Sequence, residues 1–145
     1  MAELVVNAET AWMSVSDTSR KVLRVINGKL LRHDVSLIEV KVLYLLKQQG
    51  PVSMARISGE LMITPAGATV MVDRLEERGF LRRVHSKDDR RVVYVKLTRK
   101  GEEKLEKARS VYTEVIHGLF NAISPSELHA LVSIMEKLEK VLEKE

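Results

Sequence analysis

The chain has 145 residues, within the range of one domain and long enough to bury a core. Lys and Arg number 24 against 20 Asp and Glu, a net charge of +4 that suits a polyanionic partner without requiring one. The absence of cysteine excludes disulfides, thiolate metal sites, cysteine nucleophiles and thiol redox sensing.

The opening MAELVVNAETAW lacks a basic start followed by an apolar run, and no stretch approaches the roughly 18 apolar residues of a membrane span. A cytoplasmic protein without a membrane partner is therefore expected. From about Asn7 to Leu31 no Pro intervenes, and Ala8, Ala11, Trp12, Val15, Val22, Val25, Ile26 and Leu30 recur at the spacing of one helical face. The periodicity predicts a long first helix, with Trp12 and the methionines as core rather than cofactor ligands. Ser36 and Glu39 form a capping box before Val40, Val42, Leu43, Leu45 and Leu46, and Gly50-Pro51 stops that second helix. Ser53 caps a short third helix carrying Met54, Ile57 and Leu61. Thr64-Pro65 opens a fourth helix, which runs to about Arg78 and ends at Gly79.

The period then changes from helix to strand. Phe80 to His85 and Val92 to Leu97 are β-prone runs joined by the charged turn from Ser86 to Arg91, and together they predict a hairpin. After Thr98 and Gly101 a helix of mixed charge continues to about Ala122. Ser124-Pro125-Ser126-Glu127 then caps a last helix expected to reach the terminus.

Three short helices, the last two joined by a tight turn, followed directly by a hairpin, are the order of a winged helix-turn-helix. A major groove about 12 Å wide admits one helix, so the helix from Pro65 to Arg78 would enter it while the hairpin falls on the flanking backbone or minor groove. From Arg82 to Lys100, eight basic residues against Asp88 and Asp89 give a local charge of +6, more than the net charge of the whole chain. Aromatic residues make up only 4% of the chain, too few for platforms that stack single strands, so a duplex is the expected partner.

At these residues the chain resembles the multiple antibiotic resistance regulator (MarR) family. The likeness is carried by Val72-Asp73-Arg74-Leu75-Glu76-Glu77-Arg78-Gly79 with Arg83 following, and by Asp88-Asp89-Arg90-Arg91 leading through Val95, Leu97 and Thr98 to Gly101. The resemblance implies that Arg90 enters the minor groove at the wing tip and that Asp88 helps hold the wing's shape. It also implies a repressor released by a small aromatic effector, bound where the dimerisation helices meet the winged module, near Arg20 and Leu37. From its place midway along an apolar-striped helix, an ion-pair role for Arg20 is favoured over an anion-binding one.

The fold expected is mainly α with a small β-hairpin wing (α+β). A winged module over residues 36–98 lies in a single domain of residues 1–145, flanked by dimerisation helices over 7–33 and 99–145. The expected DNA-binding residues are Thr64, Ala66, Thr69, Val70, Arg74, Arg82, Arg83, Asp88, Arg90 and Arg91. On a helical wheel Ala68, Met71, Val72 and Leu75 share the inner face, which turns Ala66, Thr69, Val70, Asp73 and Arg74 outward. Small and apolar groups would then face the bases, where they can touch thymine methyls but cannot replace a bidentate Arg on guanine. Specificity is therefore expected to lean on the wing and on DNA shape.

The first and last two helices carry apolar stripes too large for the winged module to cover, among them Leu119, Phe120, Ile123, Leu128, Leu131, Val132, Met135 and Leu138. A homodimer facing a palindromic site is the expected solution. His33, His85, His117 and His129 show no ligand spacing, so neither metal nor cofactor is expected. No glycine-rich phosphate loop or Ser elbow points to an enzyme. Two other functions fit the same order: an architectural DNA-binding protein of low specificity, and a winged helix that binds other proteins.

Overall fold

The computed structural model describes residues 6–144. Residues 1–5, where the leader-free reading begins, and Glu145, the expected end of the last helix, lie outside the described residues. The order is α1 (Ala8–Leu31), α2 (Leu37–Gln49), β1 (Val52–Ser53), α3 (Met54–Leu61), α4 (Pro65–Glu77), β2 (Leu81–His85), β3 (Val93–Leu97), α5 (Arg99–Phe120) and α6 (Pro125–Leu142).

Polar caps set most of these starts. Ser36 Oγ accepts from the Glu39 amide at 3.3 Å while Glu39 Oε2 accepts from the Ser36 amide at 2.7 Å, satisfying two donors that the first turn leaves without partners. The Gly67 amide donates to Thr64 Oγ1 at 3.0 Å, the Arg56 amide to Ser53 Oγ at 3.1 Å, and the Glu127 amide to Ser124 Oγ at 3.3 Å. Asn7 and Thr10 make a further box at the head of α1 that the sequence reading did not anticipate.

The chain divides into two compact units, one through Tyr112 and the other from Thr113. In the first, α2, α3, α4 and the sheet enclose a core in which Val42, Leu43, Ile57, Ala68, Val72, Leu75 and Val95 are fully buried. The sheet has the order β1-β3-β2 and is antiparallel, with Leu81 opposite Leu97 and Arg83 opposite Val95. Strand β1, only two residues long, was not expected; Val52 gains a partner in Val95 and so closes the free edge of β3 over the core. A Cβ on Gly101 would lie 1.9 Å from the Phe80 carbonyl oxygen, so only glycine lets α5 begin against the end of the hairpin. Thr98 Oγ1 ties the same junction, donating to the Gly79 carbonyl at 2.6 Å and accepting from the Gly101 amide at 3.0 Å.

In one respect the core differs from expectation. Trp12, Met13 and Met62 are exposed, because the first buried residue of α1 is Ile26 and Met62 occupies a left-handed position beyond the end of α3. In the second unit α6 has no buried residue and ends at Leu142. Among the described residues no helix is long and apolar enough to cross a membrane.

Candidate nucleic-acid interface

Helix α4 turns Ala68, Val72 and Leu75 into the core and leaves Thr64, Ala66, Thr69, Val70, Asp73 and Arg74 exposed, the division the helical wheel predicts. Its first turn holds no acidic residue, so its amide end keeps its partial positive charge. Thr64 serves as the cap, and Thr69 Oγ1 donates to the Pro65 carbonyl at 3.0 Å.

Arg83 joins the hairpin to this helix. Its Nη2 donates to Asp73 Oδ1 at 2.6 Å and its Nη1 to Glu76 Oε1 at 2.8 Å, while Glu76 Oε2 also accepts the Arg83 amide at 2.6 Å. Burial works against the charge on Arg83, but the hydrogen bonds and charges of Asp73 and Glu76 outweigh it and raise its pKa above the ordinary value. The clamp fixes the wing relative to α4 and neutralises Asp73 on the exposed face of that helix. Arg82 points the other way, since neighbouring residues of a strand alternate in face. It stands directly opposite Lys96, and both are exposed. Two like charges in register weaken a hairpin unless an anion lies between them.

At the wing tip Arg90 is exposed, and its carbonyl oxygen lies 2.9 Å from His85 Nδ1, a bond for which that nitrogen must carry the proton. Asp89, rather than Asp88, has the carboxylate that ties the turn: Oδ1 accepts from the Arg91 amide at 3.0 Å and from Arg91 Nε at 3.2 Å. These bonds hold the Asp89 carboxyl below its ordinary pKa. Asp88 contributes its backbone amide, which donates to Ser86 Oγ at 3.2 Å. The charge pattern Asp-Asp-Arg-Arg does not distinguish the two acids; the turn geometry does.

A third cluster, missed by the sequence reading, lies between α2 and α4. Glu39 is buried, and its Oε1 has no hydrogen-bond partner but faces Arg78 at 3.7 Å and Arg74 at 4.0 Å. Arg78 also donates to the Asp34 carbonyl and stacks over the Phe80 ring at 4.8 Å. The capping box announced Glu39 as a cap, but only the packing of α4 across α2 gives it a second role as anchor for two arginines. Beside it a cleft of about 370 Å³ is lined by Ile38, Ala66, Val70 and Met71 with Glu39 and Arg74. Arg20 and Leu37 do not line this cleft. Arg20 pairs with Asp17 on its own helix, as the ion-pair expectation holds, and the Leu37 amide donates to Asn27 Oδ1 at 2.8 Å. Among the described residues no group of three His, Asp or Glu gathers as a metal ion would require.

The family model for the MarR family matches residues 35–93, from the turn before α2 into β3. An uncharacterised HTH-type transcriptional regulator of Bacillus subtilis, YhbI, is 30% identical over 131 residues, covering 88% of this chain and 85% of its own length. The chain belongs to the MarR family. The HTH-type transcriptional repressor MdtR of B. subtilis is 27% identical over 112 residues, 77% of this chain and 72% of the relative. The fold matches that of a mutant MarR from Escherichia coli complexed with operator DNA, with a TM-score of 0.76 at 22% identity, over 94% of this chain and 99% of that one. The MarR likeness read from the α4 end and the wing turn thus falls within the matched segment, while Val95, Leu97, Thr98 and Gly101 of that motif lie beyond it.

Proposed function

We propose that this MarR-family regulator is a homodimer that binds a palindromic double-stranded operator, with α4 in the major groove and the wing on the flanking minor groove, and represses by occluding the promoter. The observation that carries the reading is the arrangement around α4: an exposed helix face whose Asp73 is neutralised by Arg83, beside the segment from Arg82 to Lys100 with a charge of +6. A polyanion lying along that surface relieves the repulsion between Arg82 and Lys96 and gains counterion release at each phosphate. Thr64, Ala66, Thr69, Val70 and Arg74 face the bases in this reading, and Arg82, Arg83, Arg90 and Arg91 supply the cationic surround, with Asp88 in the turn. The operator complex of E. coli MarR, a protein of the same fold, supports the assignment.

The dimer rests on apolar surface that a single chain leaves in water. Trp12, Met13, Val15, Leu23 and Val25 are exposed on α1, and Leu131, Val132, Ile134, Leu138 and Val141 on α6. Stripes of this size are covered by a partner in soluble proteins, and a second copy is the partner that also supplies a second α4 for a palindrome. A small aromatic effector near Arg20 and Leu37 belongs to the proposal through the family resemblance alone, as does work in the cytoplasm.

Binding of the purified protein to its own upstream region and to random duplex, followed across a salt series, tests the reading. Affinity for the upstream fragment should fall at least about tenfold from low to physiological salt and exceed that for random duplex at every point. A flat salt response removes the DNA reading, and equal affinity for both duplexes replaces the operator reading with that of an architectural protein.

A further inference from the structure

The DNA reading leaves open what α4 recognises, and its exposed face is unusually poor in hydrogen-bonding groups. Ala66 and Val70 have none to offer, and Val70 is 58% exposed, a β-branched apolar side chain set in solvent on a helix. Thr69 has spent its hydroxyl proton on the Pro65 carbonyl at 3.0 Å, which leaves its methyl and an acceptor oxygen for a partner. Asp73 is occupied by Arg83 at 2.6 Å. Besides the hydroxyl of Thr64 at the cap, which accepts the Gly67 amide, the donor on this face is Arg74, a full turn beyond Val70 and with Glu39 Oε1 at 4.0 Å drawing it toward α2. Guanine, whose major-groove edge presents only acceptors, has almost nothing here to pair with.

The major groove has one apolar group of its own, the C5 methyl of thymine. We infer that α4 reads its half-site through thymine methyl groups, packed against Val70, Ala66 and the Thr69 methyl, so that the helix selects A·T pairs by van der Waals contact rather than by hydrogen bonds. The inference rests on the operator reading above and specifies the chemistry of that site. It accounts for three small or apolar side chains in succession on a face that the adjacent charge commits to a polyanion. A methyl transferred from water into contact with Val70 counts for about as much as one buried methylene, roughly a fourfold change in affinity.

Deoxyuridine pairs as thymidine does but lacks the C5 methyl, which makes it the direct probe. Duplexes enriched from a random pool by the full-length protein would be resynthesised with uracil in place of thymine, one position at a time, within the half-sites and in the flanks. Expected are half-site positions at which uracil weakens binding about fourfold, flanking positions without effect, and a ratio that falls toward one in Val70→Ala, whose exposed side chain plays no part in the core. Uracil-containing half-sites bound as tightly as thymine ones overturn the inference and leave the operator reading standing, as does a Val70→Ala variant that keeps the full ratio. Failure to enrich any duplex overturns both.

Discussion

Arg83 illustrates how one side chain can serve binding without touching the partner's bases. Its side chain is about three-quarters buried and its guanidinium is divided between Asp73 and Glu76, so its removal frees an acid on the face of α4 and detaches that helix from β2. Arg83→Ala should weaken duplex binding about tenfold, and adding Asp73→Asn should recover part of the loss by removing the freed charge. Anisotropy titrations of the two variants decide it; a single variant that binds like the native chain sinks the clamp. Arg90 is the opposite case, exposed and linked to the fold through its backbone carbonyl. Arg90→Ala should bind DNA at least about tenfold more weakly with an unchanged melting temperature, because a turn side chain in water contributes little to stability. Native affinity in that variant would rule out insertion of the wing.

At the scale of elements, two junctions control how the helices start. Gly101 allows α5 to begin against Phe80, and Gly101→Ala would force the new methyl into a backbone carbonyl that no rotamer change can move. A loss of about 3 kcal/mol in urea denaturation is expected, the upper end for overpacking; a loss below about 0.5 kcal/mol would show that the helix start shifts freely. At the head of α6, hydrogen bonds from the Ser124 amide and hydroxyl hold the Glu127 carboxyl below its usual pKa. A carboxyl depressed in the folded state stabilises fully above its unfolded value of about 4.3, and that contribution is lost as pH falls through the lowered folded value. Helicity of the native chain should therefore decline in mild acid more than that of Glu127→Gln, which lacks the titration. Parallel circular-dichroism acid curves for the two proteins would contradict this.

For the whole molecule the expected test is assembly. Removal of residues from Ser124 onward takes away Leu131, Val132, Ile134, Leu138 and Val141, half of the exposed apolar surface on which the dimer proposal rests. Sedimentation should give monomers or aggregates, and operator affinity should fall to that of an isolated half-site. The intact protein should melt at a temperature that rises with its concentration, as mass action requires of a folded dimer. A truncated chain that stays dimeric with full affinity would place the interface elsewhere.

The periodicities, caps and turn residues were enough to order the helices and the wing, because each is a local signal: Ser36 with Glu39, Thr64 with Pro65 and Ser124 with Glu127 act within one turn of their own backbone. The MarR motif was readable for the same reason, being contiguous from Val72 to Gly79 and from Asp88 to Gly101. What sequence could not assign were pairings over longer reach. That β1 closes the edge of β3, that Trp12 stays in water and that Glu39 anchors Arg74 and Arg78 depend on which elements lie side by side. Charge and hydropathy mark a residue as able to pair or to be buried; the partner is chosen by the packing of α4 across α2 and of β2 against α4, and only the tertiary structure carries that choice.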